Sequence, residues 1–225
     1  MPFLVIPAGG RGLRMGGPVP KQFMDWGGRP LLRATIEAFF GPGMPKIDGI
    51  AIALPPDRVE EVSKWEFPAP HRCIEGGATR QESVMAALKL LDGSPTDEAA
   101  MIHDAVRPFP PPMEINEAIA SLGEWDGAAL AEASTDTLKR VGADFRIVAT
   151  EPRELIYRAQ TPQVAKLSTW RRAFAWAEQQ RFLGTDDVSI LEAMGLNVRL
   201  VPSPPSNRKI TVPVDCVDQG SGARG

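Results

Sequence analysis

The sequence predicts an α/β fold: a doubly wound, mostly parallel sheet with a protruding β-hairpin arm. Short apolar runs alternate along the chain with segments of helical periodicity, and a glycine-rich loop directly follows the first apolar run. Two β-like pieces flank Gly142-Ala143-Asp144, which predicts the hairpin. The length of 225 residues suits one domain. We expect that domain to span residues 1–218, with the arm at about 137–160 and a disordered tail at 219–225.

The predicted strands are short apolar runs. Residues 3–6, 50–54 and 99–102 are wholly apolar, which is typical of strands buried on both faces of a parallel sheet. The third run leads directly into His103-Asp104, where such sheets place ligand residues. Further strands are predicted at residues 128–133, 198–201 and 209–212, and the arm pairs residues 137–141 with 145–150.

Helices are predicted where apolar residues recur at helical spacing. Residues 30–40 place Leu31, Leu32 and Ile36 near one face, and Pro30 suits a first-turn position. The other predicted helices cover residues 59–65, 80–91, 113–122, 167–180 and 186–194.

Composition and charge exclude several function classes. With 25 Lys and Arg against 28 Asp and Glu, the net charge of -3 argues against a broad nucleic-acid coat. The two cysteines and two histidines form neither a disulfide framework nor a zinc-ligand spacing. Apolar runs reach about five residues, far below the ~20 that span a bilayer, and the N-terminus has no signal-peptide pattern. We therefore expect a soluble cytoplasmic protein.

Positive charge is concentrated around the glycine-rich loop. Arg11, Arg14, Lys21 and Arg29 stand against the single acid Asp25 between positions 9 and 29. Glycines let backbone N–H groups approach an anion, so the loop is predicted to bind phosphates. The dinucleotide fingerprint and the P-loop pattern both fail on this stretch, so neither a dehydrogenase nor a P-loop NTPase is supported.

A resemblance to a known family extends this interpretation. The segment Pro7-Ala8-Gly9-Gly10-Arg11-Gly12-Leu13-Arg14-Met15, continued by Pro20-Lys21-Gln22, resembles the signature of nucleotidyltransferases that activate sugar or polyol phosphates. Further matching segments follow in order: Gly76 to Val84, His103 to Pro108, Asp136 to Arg140, Thr161-Pro162-Gln163, Thr185-Asp186-Asp187 and Asn207 to Thr211. From about residue 3 to 215 the chain is most similar to the 2-C-methyl-D-erythritol 4-phosphate cytidylyltransferase family of the non-mevalonate isoprenoid pathway. The resemblance implies a Rossmann-like nucleotidyltransferase fold.

The resemblance also implies a reaction and a set of site residues. A phosphate oxygen of the acceptor attacks the α-phosphorus of CTP, and pyrophosphate leaves, with Mg²⁺ as the divalent cation. Arg14 and Lys21 match the family's pair that stabilises charge on the triphosphate, and Arg153 and Lys209 match those that position the acceptor's phosphate. The implied nucleotide-binding residues are Ala8, Gly9, Gly10, Gly12, Gly77, Ala78, Ser83 and Ala105. The implied acceptor-binding residues are Asp104, Arg107, Thr137, Thr161 and Thr185, and Asp104 is also the implied metal ligand. In this family the arm crosses to the other subunit, which implies a homodimer with arm exchange.

The chain departs from the family pattern at identifiable positions. Ala78 stands where the family commonly has Asp, and Arg208 stands where it usually has an apolar residue. After Asp215 the expected closing helix has no counterpart in Cys216-Val217-Asp218-Gln219-Gly220, so a shortened chain or a fragment is one interpretation.

Alternative interpretations remain open at this point. One is a D-ribitol 5-phosphate cytidylyltransferase, since Gly-Gly loops and His-Asp-Ala-Val-Arg-Pro-Phe also occur there. A second is an inactive nucleotide-binding protein, and a third is a transferase that uses another NTP. For single residues the alternatives are structural: a cap or buried ion pair for Asp104, a first-turn hydrogen bond for Ser83, and turn hydroxyls for the threonines. His103 is expected to be structural.

Overall fold

A computed structural model of the chain describes residues 1–10 and 19–211. Its strands are β1 (Phe3–Pro7), β2 (Gly49–Leu54), β3 (His71–Glu75), β4 (Ala99–Ile102), β5 (Gly127–Ala133), β6 (Lys139–Val141), β7 (Ile147–Thr150), β8 (Tyr157–Lys166) and β9 (Val198–Pro202). Its helices are α1 (Leu31–Ala38), α2 (Val59–Ser63), α3 (Arg80–Lys89), α4 (Pro112–Ala120), α5 (Leu167–Gln180) and α6 (Val188–Ala193).

The main sheet has seven strands in the order β3-β2-β1-β4-β8-β5-β9. Strands β1, β2, β3 and β4 are parallel, β9 is parallel to β5, and β8 alone runs antiparallel to its neighbours β4 and β5. Helices cover both faces, which confirms the predicted mostly parallel α/β fold. The order reverses beside β1, so a crevice forms there at the carboxyl ends of the strands, where open α/β sheets bind ligands.

Two apolar clusters, one on each face of the sheet, form the core. Successive residues of a strand point to opposite faces, so Leu4 and Ile6 pack with α1, α2 and α4, whereas Phe3 and Val5 pack with α3, α5 and α6. Trp170 of α5 is fully buried and donates its indole N–H to the Ala100 carbonyl at 2.9 Å. Burial on both faces explains why the sequence shows continuous apolar runs at these strands.

Several predicted elements differ from the structure. The predicted helix 167–180 is confirmed at both ends, whereas 113–122 forms α4 followed by a 3₁₀ turn at Ser121–Gly123. Strands β3 and β8 have no counterpart among the predicted strands, because β3 is half polar at a sheet edge and β8 contains Pro162 among polar residues. The predicted strand 209–212 is wrong for residues 209–211, which pair with no strand of the sheet. Ile210 N–H instead donates to the Val106 carbonyl at 2.9 Å.

The predicted hairpin is present as β6 and β7, which form a two-stranded sheet separate from the main one. Its strands begin and end inside the predicted pieces 137–141 and 145–150. Large apolar side chains are exposed on and beside the hairpin, and Phe145 at its tip is 85% exposed. The others are Val141, Ile147, Val148, Leu155 and Tyr157. An exposed apolar set of this kind is typical of a surface that another chain covers.

Candidate active site

A large cavity lies at the carboxyl ends of β1 and β4. Its volume is about 630 Å³, and one wall is formed by the backbone that follows β1. The lining includes ten of the residues that the sequence proposed for the site: Ala8, Gly9, Gly10, Lys21, Gly77, Ala78, Ser83, Asp104, Ala105 and Lys209. Pro7, Gln22, Thr79, Arg80, Val106 and Thr211 complete it. The largest part of the predicted nucleotide site is therefore one continuous surface.

The start of the glycine loop is held by Gln22. The side-chain amide of Gln22 is buried and donates to the carbonyls of Ala8 at 2.8 Å and Gly10 at 2.7 Å. Lys21 precedes Gln22 in the same 3₁₀ turn and thereby lies beside the loop. A Cβ on Gly9 would stand 2.8 Å from Ser83 Oγ and 3.1 Å from Gly76 Cα, so glycine lets the loop lie this close to α3 without displacing either residue.

The opposite wall is the N-terminus of α3, which is closed by a capping box. Thr79 Oγ1 accepts from Glu82 N–H at 3.1 Å, and Glu82 Oε2 accepts in return from Thr79 N–H at 3.2 Å. A Cβ on Gly77 would lie 2.2 Å from Glu82 Cβ, so Gly77 is required by this packing. Ser83 donates to the Thr79 carbonyl at 2.9 Å, which is the first-turn hydrogen bond expected of this residue in a structural role.

A second cavity of about 310 Å³ adjoins the first. It is lined by Arg80, Asp104, Arg107, Ala159, Gln160, Thr161, Gln163, Thr185, Asp186 and Lys209. Arg80, Asp104 and Lys209 line both cavities and mark where they meet. The predicted acceptor residues Arg107, Thr161 and Thr185 all lie on this side. The register of β8 against β4 puts Gln163 opposite Ile102, which brings the polar end of β8 next to Asp104.

Asp104 lies at this junction, surrounded by three cationic side chains. Its Oδ2 is 3.0 Å from Lys209 Nζ and 3.2 Å from Arg107 Nε, and its Oδ1 is 3.4 Å from Arg80 Nε. Burial by itself would raise the pKa of Asp104, but the charges of Arg80, Lys209 and Arg107 outweigh it and hold that pKa well below its usual range. Asp104 is therefore ionised at neutral pH.

Arg80 extends this network to Asp187. Arg80 Nη1 donates to Asp187 Oδ1 at 2.7 Å, and Asp187 is only 1% exposed. Burial lowers the pKa of Arg80, yet the nearby carboxylates of Asp187 and Asp104 more than compensate and raise it. Burial raises the pKa of Asp187 against the attraction of Arg80. Asp187 is held from the backbone side as well, since its N–H donates to Gln163 Oε1 at 2.9 Å.

His103 is buried beneath Asp104 in one defined tautomer. Its Nε2 lies 3.0 Å from the Arg107 carbonyl and must carry the proton, because a carbonyl only accepts. Nδ1 therefore accepts from Thr161 Oγ1 at 3.1 Å, and Thr161 Oγ1 accepts from Asp104 N–H at 3.0 Å. Burial is the main cause that lowers the pKa of His103 to about 4, so the ring is neutral at physiological pH. This residue lines neither cavity and orders the backbone on which Asp104 stands.

The neutral His103 gives stability a defined pH dependence. The native pKa of about 4 lies below the ordinary 6.5, so the unfolded state takes up the proton first as pH falls. We expect the stabilisation that the neutral His103 gives to the free energy of unfolding to be fully present above pH 6.5 and to be lost between pH 6.5 and 4. The loss amounts to about 3 kcal/mol. Urea unfolding at pH 7.5 and pH 4.5 measures it. His103→Gln does not titrate and should show a flatter profile; equal slopes in both proteins would contradict the expectation.

Asn207 anchors the segment that carries Lys209. Asn207 is fully buried, and its Nδ2 donates to Gln160 Oε1 and to the Thr161 carbonyl, both at 2.9 Å. Its own carbonyl accepts from Arg107 Nη1 at 2.7 Å. Arg208 lies over the Phe109 ring, with 5.7 Å between its guanidinium carbon and the ring centroid, so this departure from the family pattern is packed against the chain.

Not every predicted site residue lies at these cavities. Thr137 and Arg153 are exposed near the hairpin and line neither cavity. Arg14 and Gly12 lie outside the described residues, as does the tail at 219–225. The structure adds five residues to which the sequence assigned no site role: Gln22, Arg80, Gln163, Asp187 and Asn207. All five belong to matched segments, so membership in a matched motif was the available signal.

Comparison with known proteins identifies the family. The profile of the family described as IspD, 2-C-methyl-D-erythritol 4-phosphate cytidylyltransferase, matches residues 3–219. The chain belongs to this family. It is therefore a nucleotidyltransferase, as its sequence predicted, and not a member of the dehydrogenase or P-loop classes.

Relatives and solved structures agree with the family assignment. The chain is 39% identical to the 2-C-methyl-D-erythritol 4-phosphate cytidylyltransferase of Geobacter metallireducens, over 96% of this chain and 94% of that protein. It is 38% identical to the namesake from Acidobacterium capsulatum, over 95% and 93% of the two chains. The structure superposes on the Francisella tularensis enzyme of that name with a TM-score of 0.80, at 28% identity and 96% coverage of each chain. A bifunctional IspDF from Campylobacter jejuni matches with a TM-score of 0.76 over 53% of that longer chain.

Proposed function

We propose that this chain transfers the cytidylyl group of CTP to 2-C-methyl-D-erythritol 4-phosphate, releasing pyrophosphate. The observation that carries the proposal is the pair of adjoining cavities that share Arg80, Asp104 and Lys209. The larger cavity is lined by Gly9, Gly10 and Lys21, groups suited to a triphosphate, and the smaller has arginine, lysine and threonine groups suited to a polyol phosphate. A phosphate held by Lys209 would face the α-phosphorus of a nucleotide in the larger cavity. Catalysis of such transfer is mostly positioning and charge stabilisation.

The roles of the site residues follow from their places. Ala8, Gly9, Gly10, Gly77, Ala78, Ser83 and Ala105 bind the nucleotide, Lys21 stabilises charge on the triphosphate, and Asp104, Arg107, Thr161, Thr185 and Lys209 bind the acceptor. Arg14 and Gly12 are proposed for the triphosphate from the family resemblance alone. Thr137 and Arg153 are proposed for the acceptor of a neighbouring subunit.

We propose that Mg²⁺ enters the site with CTP. Among residues 1–10 and 19–211, no group of three or more His, Cys, Asp or Glu side chains could hold a metal ion. Asp104 is surrounded by the cations Arg80, Arg107 and Lys209, whose positive charges oppose the binding of a divalent metal ion when no nucleotide is present. Mg²⁺ commonly takes one or two carboxylates together with substrate phosphates, so Asp104 fits a nucleotide-borne ion. Such an ion would neutralise charge on the triphosphate.

We propose a homodimer in which the hairpin arms are exchanged. The exposed apolar residues of the arm need a covering surface, and Arg153 lines neither cavity of its own chain.

Within the described part of the chain, no helix combines the length and apolarity needed to cross a membrane. We place the enzyme in the cytoplasm, where its phosphorylated substrates would be found.

Complementation between two inactive variants tests the exchange of arms. In a heterodimer of Lys21→Ala and Arg153→Ala chains, one site carries both defects and the other carries none if Arg153 acts in trans. A mixed and refolded equimolar sample is then expected to recover about a quarter of wild-type activity. Each variant alone serves as the control. A mixture no more active than its components, or a monomeric mass in light scattering of the active enzyme, would contradict the proposal.

A panel of acceptors and nucleotides tests the function itself. Pyrophosphate release is measured with 2-C-methyl-D-erythritol 4-phosphate and with D-ribitol 5-phosphate, each with CTP, UTP, ATP and GTP. We expect turnover with CTP and the methylerythritol phosphate to exceed every other combination. Preference for ribitol phosphate would support the sister enzyme, and CTP binding without turnover on any acceptor would support an inactive nucleotide-binding protein.

A further inference from the structure

Arg80 occupies a place that local physics disfavours. It is the first residue of α3, where the helix dipole is positive and a cation is destabilised. Its side chain is partly buried, with 35% exposed, and lines both cavities. The two carboxylates of Asp104 and Asp187 compensate for this placement, at 3.4 Å and 2.7 Å respectively. Because two buried carboxylates are needed to hold a cation at this unfavourable position, we expect Arg80 to have a function in the site.

The partner of Arg80 is buried and incompletely satisfied. Asp187 Oδ2 has no hydrogen-bond partner among the described residues, so this carboxylate is held through the bond that its Oδ1 accepts from Arg80. The Asp187 backbone is fixed by Gln163, which also donates to Asp186 Oδ2 at 2.7 Å. Asp186 lines the smaller cavity, which is proposed for the acceptor and is called the acceptor cavity below; the larger one is the nucleotide cavity. The pair thus joins the nucleotide wall at α3 to the acceptor wall at β8 and α6.

We propose that Arg80 and Asp187 form a positioning pair, which sets the orientation of Asp104 between the nucleotide and acceptor cavities. Asp187 holds one edge of the guanidinium, and the guanidinium Nε then faces Asp104 Oδ1, while Lys209 and Arg107 occupy Oδ2. Arg80 is already engaged by two carboxylates, so it acts through Asp104 and not as a phosphate ligand. This inference rests on the proposed function, because Asp104 is assigned there to the acceptor.

A double-mutant cycle on Arg80→Gln and Asp187→Asn tests the pair. Each single variant is expected to lower kcat/KM for the acceptor about 10- to 100-fold, mainly by raising its KM, with the directly measured Kd of CTP changed less than about threefold. The double variant is expected to lose no more than the worse single variant, because the two residues act as one unit. A purely structural role would lower the active fraction without changing either KM.

Matched variants keep the result interpretable. Arg199→Gln removes an arginine of similar exposure, 38%, from a surface pair with Glu117 and should leave all constants unchanged. If Arg80→Gln does not fold, Arg80→Lys retains the charge but not the planar fork that spans two carboxylates, and the same rise in acceptor KM is expected. Additive losses in the cycle, or a CTP Kd that rises as much as the acceptor KM, would overturn the inference while the wild type remains active. A wild type that neither binds nor uses the acceptor would overturn the proposed function and this inference with it.

Discussion

Lys21→Ala is expected to lower kcat by about 100- to 1,000-fold, which is the usual effect of removing one group that stabilises transition-state charge. Lys21 lines the larger cavity, which is proposed for the nucleotide, beside the start of the loop that Gln22 fixes. As pyrophosphate leaves, negative charge grows on the triphosphate, and a compact ammonium in a partly enclosed cavity counters it. The Kd of CTP should change less than kcat does, because the contact of Lys21 with the triphosphate strengthens as the bond to pyrophosphate breaks.

Steady-state kinetics and CTP titration on the same preparations measure these effects. Lys64→Ala is the matched control, because Lys64 is exposed on the turn after α2 and pairs with Glu60, away from both cavities' linings. Lys21→Arg should recover part of the activity, since it restores the charge but not the compact geometry. Turnover of Lys21→Ala within a few-fold of wild type, in a folded protein, would show that the assigned role is wrong.

Asp104→Asn is expected to separate CTP binding from turnover. The change removes the negative charge that Arg80, Arg107 and Lys209 surround, so the junction of the cavities becomes more positive. CTP without Mg²⁺ should therefore bind severalfold more tightly, by Coulomb attraction. Turnover should nevertheless fall about 100-fold, because the acceptor loses the group that orients it.

Isothermal titration without metal and kinetics with Mg²⁺ give the two numbers. The tighter binding would also report that the variant is folded, which guards against an inactive protein that has merely lost its structure. Raising the salt concentration should reduce the gain in affinity, because the effect is electrostatic. Weaker CTP binding in a folded variant would contradict the expected electrostatic gain. Undiminished turnover would contradict the proposed role of Asp104 in orienting the acceptor.

The sequence predicted the parts of the site that depend on local chemistry. Gly77 and Ser83, which the motif from Gly76 to Val84 predicted for the nucleotide, lie within eight residues of the strand that they follow, and both line the larger cavity. The same holds for Lys21, Asp104 and Lys209, whose motifs placed them at one site and whose side chains line one cavity. The arm residues Thr137 and Arg153 were predicted for the site too, but one chain alone does not bring them there.

By itself, then, the sequence determined the alternation of helices and strands and the hairpin, because each depends on the periodicity or turn chemistry of neighbouring residues. Only the tertiary structure decided that polar, proline-containing β8 is an inner strand, because Gln160, Thr161 and Gln163 find their partners on distant segments. It likewise decided the link between Arg80 and Asp187, which are 107 residues apart. Residues so far apart in sequence come into contact only when the whole sheet has formed, so no pattern of neighbouring residues predicts that this pair will meet.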